Sequence, residues 1–218
     1  MRLRLPPVTL AIAGLTTAAS LAATVTHREQ WAMFALGFIP IRLVAVTPSG
    51  FGMVPALLTP LSATLVHSGY VHLLSNLLML LFGGTLSERA LGWRRTLIVY
   101  VAGAYAAASA QWMVGPHSLD PMVGASGAIA ALVGAQCALY GAIRAPAIGT
   151  IAPRTVQIAW QIAAWAAINI LGAIAAKGEG FPIAWAAHIG GFVAGILMAR
   201  PLLFIRLRLS RINRQARP

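Results

Sequence analysis

The stretch LSATLVHSGYVHLLSNLLMLLFGG, residues 61–84, decides the fold because it is long, apolar and free of charged side chains. It belongs to a longer run, 43–87, that contains no Asp, Glu, Lys or Arg. A helix needs about 20 mostly apolar residues, at a rise of about 1.5 Å each, to cross a bilayer. The stretch therefore predicts one membrane-spanning helix over 61–84.

The rest of the chain repeats this pattern, since 59% of its 218 residues are hydrophobic and only 9% are charged. A soluble domain carries about 25% charged residues. A chain with so few charges cannot cover its surface with them in water, so a soluble globular domain is excluded. Five further charge-free runs predict spanning helices over 7–26, 95–115, 124–143, 155–176 and 182–205. The sequence therefore predicts an all-α integral membrane protein, a single domain over 1–218 built from six transmembrane helices.

The segment 27–60, after the first helix, is apolar but rich in helix breakers. Five of them fall within thirteen residues: Pro48, Gly50, Gly52, Pro55 and Pro60. A straight helix does not tolerate this density of proline and glycine. We expect a long loop with short helical pieces, partly embedded in the bilayer surface.

The basic residues predict the orientation. If the N-terminus is inside, thirteen of the sixteen Lys and Arg residues are cytoplasmic, and only Arg28, Arg42 and Lys177 are outside. Basic residues concentrate on the cytoplasmic side of membrane proteins, so both termini are predicted to be cytoplasmic. Residues 206–218 then form a basic cytoplasmic tail that anionic lipid headgroups attract, and we expect no nucleic-acid partner.

The N-terminus also has the features of a secretory signal peptide. Arg2 and Arg4 precede an apolar stretch that ends in small residues, which is the order found in cleaved signals. Cleavage would leave five spans. We favour an uncleaved first helix, because six spans place both termini on the basic side.

A small set of polar residues interrupts the apolar helices. His67, His72 and Asn76 are predicted on the second helix, Ser126 in the first turn of the fourth, and His188 on the sixth. Polar groups inside a bilayer are costly and usually mark function. These three helices all run inward from the outer side, so the set predicts one hydrated pocket in the outer half of the membrane.

Within this set, His72 and Asn76 are four residues apart and share one helical face. His67 lies about 140° round the same helix and is expected at the rim of the pocket. Together with His188, these two histidines could also offer three nitrogens to a metal. However, no carboxylate or cysteine lies at that depth, and a spacing of five residues suits chelation poorly. We expect no metal and no other cofactor.

Ser126 lies between glycines in the sequence Gly124-Ala125-Ser126-Gly127. The glycines leave the Ser126 hydroxyl and backbone N–H accessible, and a helix N-terminus directs free N–H groups and a positive dipole toward a developing oxyanion. A serine in this setting, taken alone, is more often a packing or capping residue.

His188 gives the serine a chemical partner. Small residues at 187, 191 and 195 recur every four positions and favour close packing of the sixth helix against the fourth, which would bring His188 close to the Ser126 hydroxyl. A neutral imidazole there can accept the serine proton and return it to a leaving amine. None of the four acids, Glu29, Glu88, Asp120 and Glu179, is predicted behind His188. The pattern therefore indicates a Ser–His dyad.

Taken together, these motifs resemble the rhomboid intramembrane serine proteases in their bacterial, six-helix form. The resemblance covers about 60–200 and rests on four motifs in order: His67, His72 and Asn76; Gly83-Gly84 followed by Glu88-Arg89 and Gly92; Gly124 to Gly127; and Ala187-His188 with Gly191. It implies a rhomboid-like bundle and a serine endopeptidase that cuts in or near transmembrane segments of single-span and other membrane proteins.

The resemblance also implies a role for each residue. Ser126 corresponds to the nucleophile and His188 to the general base. The oxyanion hole corresponds to the Ser126 N–H with the His72 and Asn76 side chains, and the supporting positions are His67, Gly124 and Gly127. The implied location is a bacterial inner membrane, crossed several times, with the active site open to the outer, periplasmic side.

Two positions depart from the family pattern. The family often has an aromatic residue four after the nucleophile, packed on the catalytic histidine, and this chain has Ala130 there. The first loop has no Trp-Arg pair, because Trp31 precedes Ala32 and Arg42 follows Ile41. We expect the imidazole to be oriented by another side chain or held less firmly.

Three other functions are compatible with these features. A non-catalytic rhomboid-like protein would bind or escort membrane helices, although such proteins usually lack the serine or the histidine that this chain keeps. A transporter or proton relay could use the histidines, but relays generally add carboxylates, and no predicted span contains one. A rhomboid relative that processes C-terminal sorting signals of exported proteins fits the same spacing.

Overall fold

The structure, a computed structural model, describes residues 6–45, 54–140, 146–175 and 184–215. Within these ranges the chain is helical, and the β-type pairing consists of two isolated bridges. We number the helices α1 Pro7–Val25, α2 Glu29–Leu36, α3 Thr59–Ser62, α4 Tyr70–Leu91, α5 Trp93–Val114, α6 Ser126–Tyr140, α7 Pro153–Ala175 and α8 Trp185–Gln215.

Within the described residues, four helices are long and apolar enough to cross a membrane: α1, α4, α5 and, over Trp185–Ile212, α8. The apolar helix α6 has 15 residues and is shorter than the usual span of about 20. A helix overlaps each of the six predicted ranges. The crossing of the membrane by all six, with both termini inside, stays a prediction.

The second predicted helix was wrong at its start, because α4 begins at Tyr70 and not at Leu61. Residues 59–65 form a short helix and a 3-10 turn, and Val66 is extended. Gly69, with φ +152°, then precedes α4, a conformation that glycine adopts easily. His67 therefore lies before the helix and does not share a helix with His72 and Asn76.

The sixth predicted helix was also too short, because α8 continues through Gln215 and includes most of the predicted tail. The Arg206 guanidinium donates to the carbonyl oxygens of Arg89, at 2.8 Å, and Ala90. These carbonyls belong to the last turn of α4, where no intrahelical N–H is available to them. Arg206 thus ties α8 to the end of α4.

The core is centred on α6, whose residues 127–135 are all buried. A Cβ atom on Gly191 of α8 would overlap the carbonyl oxygen of Gly127. One turn further along α8, a Cβ atom on Gly195 would overlap the carbonyl oxygen of Ala131. The backbones of α6 and α8 are therefore in direct contact, as the small-residue spacing predicts.

The acid of the Gly83-Gly84 motif anchors the first helix. The Glu88 carboxylate accepts hydrogen bonds from the Val8 N–H at 3.1 Å, the Thr9 N–H at 2.9 Å and the Thr9 hydroxyl at 2.7 Å. A Cβ atom on Gly84 would lie 2.8 Å from the Thr9 Cγ2 atom. Glu88 therefore caps α1 from α4, and Gly84 provides the space for this contact.

The long loop after α1 contains short helical pieces, as predicted. These are α2 and two 3-10 turns, Pro40–Leu43 and Ala56–Leu58; residues 46–53 lie outside the described ranges. Phe38 pairs with Met122 through two backbone hydrogen bonds of 3.0 and 2.8 Å. This pairing connects the loop to the segment that leads into α6.

Candidate active site

Ser126 and His188 meet where α6 and α8 begin. The His188 Nε2 atom lies 2.7 Å from the Ser126 hydroxyl oxygen. Ser126 is the first residue of α6, and His188 lies in the first turn of α8. The close contact of the two backbones at Gly127 and Gly191 brings these first turns together.

The contact between Ser126 and His188 determines which nitrogen of the His188 ring must carry hydrogen for catalysis. For the Ser126 hydroxyl to donate to a neutral imidazole, Nε2 must be without hydrogen and Nδ1 must carry it. The His188 Nδ1 atom is buried, and the described part of the chain offers it no hydrogen-bond partner. The carboxylate of Glu88 is bound to α1, and Glu179 lies outside the described residues.

His72 and Asn76 lie one turn apart on α4 and line the same cavity as Ser126 and His188. The Asn76 side-chain amide donates to the His72 carbonyl oxygen at 2.8 Å, which leaves its second N–H available. The Ser68 backbone N–H, which can only donate, lies 3.5 Å from His72 Nδ1. The hydrogen of a neutral His72 ring therefore belongs on Nε2.

Gly124 makes room for the His72 ring beside the serine. Its φ is +105°, and a Cβ atom on it would lie 2.7 Å from His72 Nε2. Gly127 is needed for a different contact, since its Cβ atom would overlap that of Ala107 on α5. Both predicted supporting glycines therefore lie where a side chain would displace a neighbour.

The structure does not place His67 at the rim of the pocket, and that expectation was wrong. Its side chain is 2% exposed, and its Nε2 atom lies 3.4 Å from the Ala125 N–H donor. Burial lowers the pKa of His67 to about 3, and the neighbouring His72 ring acts in the same direction. His67 is thus a neutral ring behind the segment that carries Ser126.

A cavity of about 870 Å³ contains Ser126 and His188, with His72 and Asn76 on its wall. Most of the other lining residues are apolar or small, and they come from the loops as well as the helices: Met33, Pro60, Tyr70, Val71, Ala104, Ala107, Met122, Val123 and Ala184. A mostly apolar cleft with a few converging polar groups is the usual form of a binding site, and this one is large enough for several residues of a peptide.

The packing explains why the position four after the serine is alanine. Ala130 is fully buried, and its Cβ atom lies 3.4 Å from the point that a Cβ on Gly191 would occupy. An aromatic side chain has no room there. The stacked pair in this region is Trp165 and Phe192, with ring centroids 5.4 Å apart, one turn along α8 from His188.

Two contributors to the site were not found in the sequence. Ser20 on α1 contacts His67, and Ser68 contacts His72 at 3.1 Å through its hydroxyl. Both are ordinary small polar residues, and only the tertiary arrangement reveals their partners. Among the described residues, no group of three or more His, Cys, Asp or Glu side chains is arranged to hold a metal ion.

Comparison with known proteins identifies similar chains. Residues 54–204 match the family model of the Rhomboid domain. The chain is 32% identical over 139 residues to Rhomboid-related protein 2 of Mus musculus, covering 62% of this chain and 45% of that protein. It is 32% identical over 149 residues to Rhomboid protease GluP of Bacillus subtilis (strain 168), covering 67% of this chain and 25% of that protein. The chain thus spans less than half the length of these relatives.

Proposed function

The chain belongs to the rhomboid family, and from this premise we propose that it is an intramembrane serine endopeptidase. It hydrolyses peptide bonds in or near transmembrane segments with Ser126 as nucleophile and His188 as general base. The observation that carries the proposal is the 2.7 Å contact between His188 Nε2 and the Ser126 hydroxyl, at a helix N-terminus inside a large cavity.

The reaction proceeds in two steps. The Ser126 oxygen attacks the substrate carbonyl carbon while His188 Nε2 takes the hydroxyl proton. The tetrahedral intermediate then breaks its C–N bond, and His188 returns the proton to the leaving amine. Water hydrolyses the resulting acyl-enzyme, with His188 again taking and returning a proton.

The negative oxygen of the intermediate requires hydrogen-bond donors. The Ser126 backbone N–H belongs to the first turn of α6, where N–H groups have no intrahelical acceptor. The Nε2 hydrogen of His72 and the second amide hydrogen of Asn76 complete the oxyanion hole. Both side chains line the same cavity as Ser126.

The proposed topology has six spans, both termini in the cytoplasm and the site open to the outer, periplasmic face of a bacterial inner membrane. The distribution of basic residues supports this orientation. Peptide hydrolysis needs water, which the centre of a bilayer lacks, and a site open to the outer face can be hydrated. The last turns of α8 carry Arg208 and Arg211, which are exposed. On the cytoplasmic side these arginines would attract anionic lipid headgroups.

The proposed substrates are membrane proteins whose spans unwind easily. The backbone groups of an intact helix are hydrogen-bonded, so its carbonyls resist attack. Glycine and proline weaken a helix most strongly. We expect cleavage to increase when glycine or proline is placed near the cut site of a substrate span, and unchanged cleavage would contradict this substrate model.

The test is cleavage of a single-span substrate by the full chain reconstituted in liposomes. We expect cleavage by wild type and by Ser210→Ala, a serine control at an exposed position of α8. We expect none by Ser126→Ala or by His188→Ala. Substrate binding without cleavage by folded wild type would contradict the proposal and favour a non-catalytic escort of membrane helices. Cleavage of C-terminal sorting signals alone would narrow the substrate class.

A further inference from the structure

Ser20 is a buried residue of α1. Its hydroxyl lies between the Leu65 carbonyl group and the His67 ring, both of which belong to the segment that precedes α4. Its side chain is 4% exposed. Its hydroxyl oxygen lies 3.0 Å from the Leu65 carbonyl oxygen and 3.0 Å from His67 Nδ1. Through this side chain α1 contacts the segment that lies beside Ser126.

The directions of these hydrogen bonds follow from the groups involved. The Leu65 carbonyl oxygen can only accept, so the single hydrogen of the Ser20 hydroxyl is donated to it. The Ser20 oxygen must then accept from His67, which places a hydrogen on Nδ1. The ring is neutral, because burial lowers the pKa of His67 to about 3. Nε2 is left as an acceptor.

The free acceptor of His67 faces the backbone beside the serine. The Ala125 N–H donates to His67 Nε2 at 3.4 Å. The preceding Gly124 N–H donates to the Ala63 carbonyl oxygen at 2.9 Å. These two bonds hold the chain just before Ser126 against the segment 63–67.

We infer that Ser20 is a positioning residue: it fixes the hydrogen of His67 on Nδ1, and His67 thereby holds Ala125 and the adjoining Ser126 N–H in register with His72. The inference rests on the proposed proteolytic function. Without the Ser20 oxygen the hydrogen can move to Nε2, where it would face the Ala125 N–H, and two donors would oppose each other. The turn that carries the nucleophile would then shift.

The first test reads the hydrogen position directly. The full chain with ¹⁵N-labelled histidine is studied by NMR in detergent micelles, and the His67 signals are assigned by their loss in His67→Gln. We expect wild type to show hydrogen on Nδ1 and an unprotonated Nε2. Hydrogen on Nε2 in wild type would overturn the inference without any variant, and whether or not the protein proves to be a protease.

The second test compares variants of one helix. Ser20→Ala is expected to move the His67 hydrogen at least partly to Nε2 and to lower kcat on the order of tenfold, the worth of about one hydrogen bond, with KM unchanged. Ser20→Thr keeps a hydroxyl and is expected to restore both. The matched control is Thr16→Val, because Thr16 lies one turn away on α1, is equally buried, and its hydroxyl has no partner among the described residues.

The outcomes separate the inference from the proposed function. An unchanged hydrogen position and kcat in Ser20→Ala would overturn the inference, as would an equal loss of kcat in Thr16→Val. If Ser20→Ala does not fold, the position of the His67 hydrogen in wild type and in Ser20→Thr still decides whether the inference is correct. A wild-type chain that cleaves nothing would contradict the proposed function, and the NMR measurement would then judge the hydrogen-bond arrangement alone.

Discussion

The two ends of α4 use polar side chains in opposite ways. At the Leu91 end, Glu88 accepts three hydrogen bonds from α1, and Ser87 donates to the Leu132 carbonyl oxygen at 2.9 Å. At the Tyr70 end, the Asn76 side-chain oxygen has no hydrogen-bond partner among the described residues, and the same holds for His188 Nδ1 across the cavity. Polar groups with partners hold the helices together at the Leu91 end, whereas two side chains that each keep one buried, unpaired polar atom line the cavity at the Tyr70 end.

This difference assigns stability to the residues at the Leu91 end of α4 and activity to those at the Tyr70 end. A buried polar group without a partner costs free energy, so the unpaired atoms around the cavity do not contribute to the fold. The proposed reaction uses the other polar atoms of these two side chains, His188 Nε2, which contacts the Ser126 hydroxyl, and the Asn76 amide nitrogen. We therefore expect substitutions at the Leu91 end to lower stability and substitutions at the Tyr70 end to lower activity.

The largest expected effect is that of Asn76→Ala on catalysis. Loss of one oxyanion donor lowers kcat by about 10²–10³, while the folded chain loses little stability. Ser75→Ala is the matched control, because the Ser75 hydroxyl donates to the same His72 carbonyl oxygen, at 3.0 Å. Cleavage rates and unfolding temperatures of both variants check this. An equal loss of kcat in the control would remove the distinction between the two ends of α4.

The second effect is that of Glu88→Ala on stability. The variant leaves the first N–H groups of α1 without their acceptor, and hydrogen bonds to a charged group are worth about 1.5–3 kcal/mol each. We expect unfolding in detergent to become easier by about 2–4 kcal/mol, less than the sum over three bonds because bonds to one carboxylate are not additive, with activity per folded molecule nearly retained. Asp120→Asn, at an exposed acid, should change neither quantity. Unchanged stability in Glu88→Ala would show that this end does not hold α1.

A smaller effect is expected from Ala130→Phe, which restores an aromatic residue four after Ser126. The position is fully buried against α8, so the larger side chain should destabilise the fold by about 1–3 kcal/mol through overpacking. A comparison of the unfolding temperatures of Ala130→Phe and Ala130→Ser checks whether the added side-chain volume causes the loss of stability. A more stable and more active Ala130→Phe would mean that the space beside His188 is larger than the packing indicates.

The smallest effect is the pH dependence that His67 contributes to stability. Since the pKa of His67 falls from 6.5 to about 3 on folding, the unfolded chain binds a proton below about pH 6.5 that the folded chain does not. The contribution of His67 to stability should be highest above that pH and fall by about 0.8 kcal/mol between about pH 7.5 and pH 6. In unfolding measurements across this range, His67→Gln should reduce this slope, and a slope equal to that of wild type would contradict the prediction.

The sequence predicted the helices and the pairing of Ser126 with His188 because both depend on local patterns. Apolar length indicates a helix, and small residues every four positions on α8 indicate the face that approaches α6. The meeting of Ser126 and His188 then follows from two helix N-termini in contact. Each of these patterns lies within one helix and can be recognised without the tertiary structure.

The start of α4 and the position of His67 could not be predicted in this way. Residues 61–69 belong to the same charge-free run as most of α4, and the break arises from the extended backbone at Val66 and the φ of Gly69. Ser20 was equally hidden, because a serine in an apolar helix gives no sign of its partner 47 residues away. The replacement of an aromatic by Ala130 became understandable only from the contact with Gly191.

The most direct test of the central claim is labelling of the folded chain in detergent with a fluorophosphonate serine probe, with the modified residue identified by mass spectrometry. Activation of Ser126 by His188 predicts a single adduct on Ser126 in wild type and no adduct in either Ser126→Ala or His188→Ala. Labelling that persists in His188→Ala, or a folded wild-type chain that takes up no probe, would contradict the account.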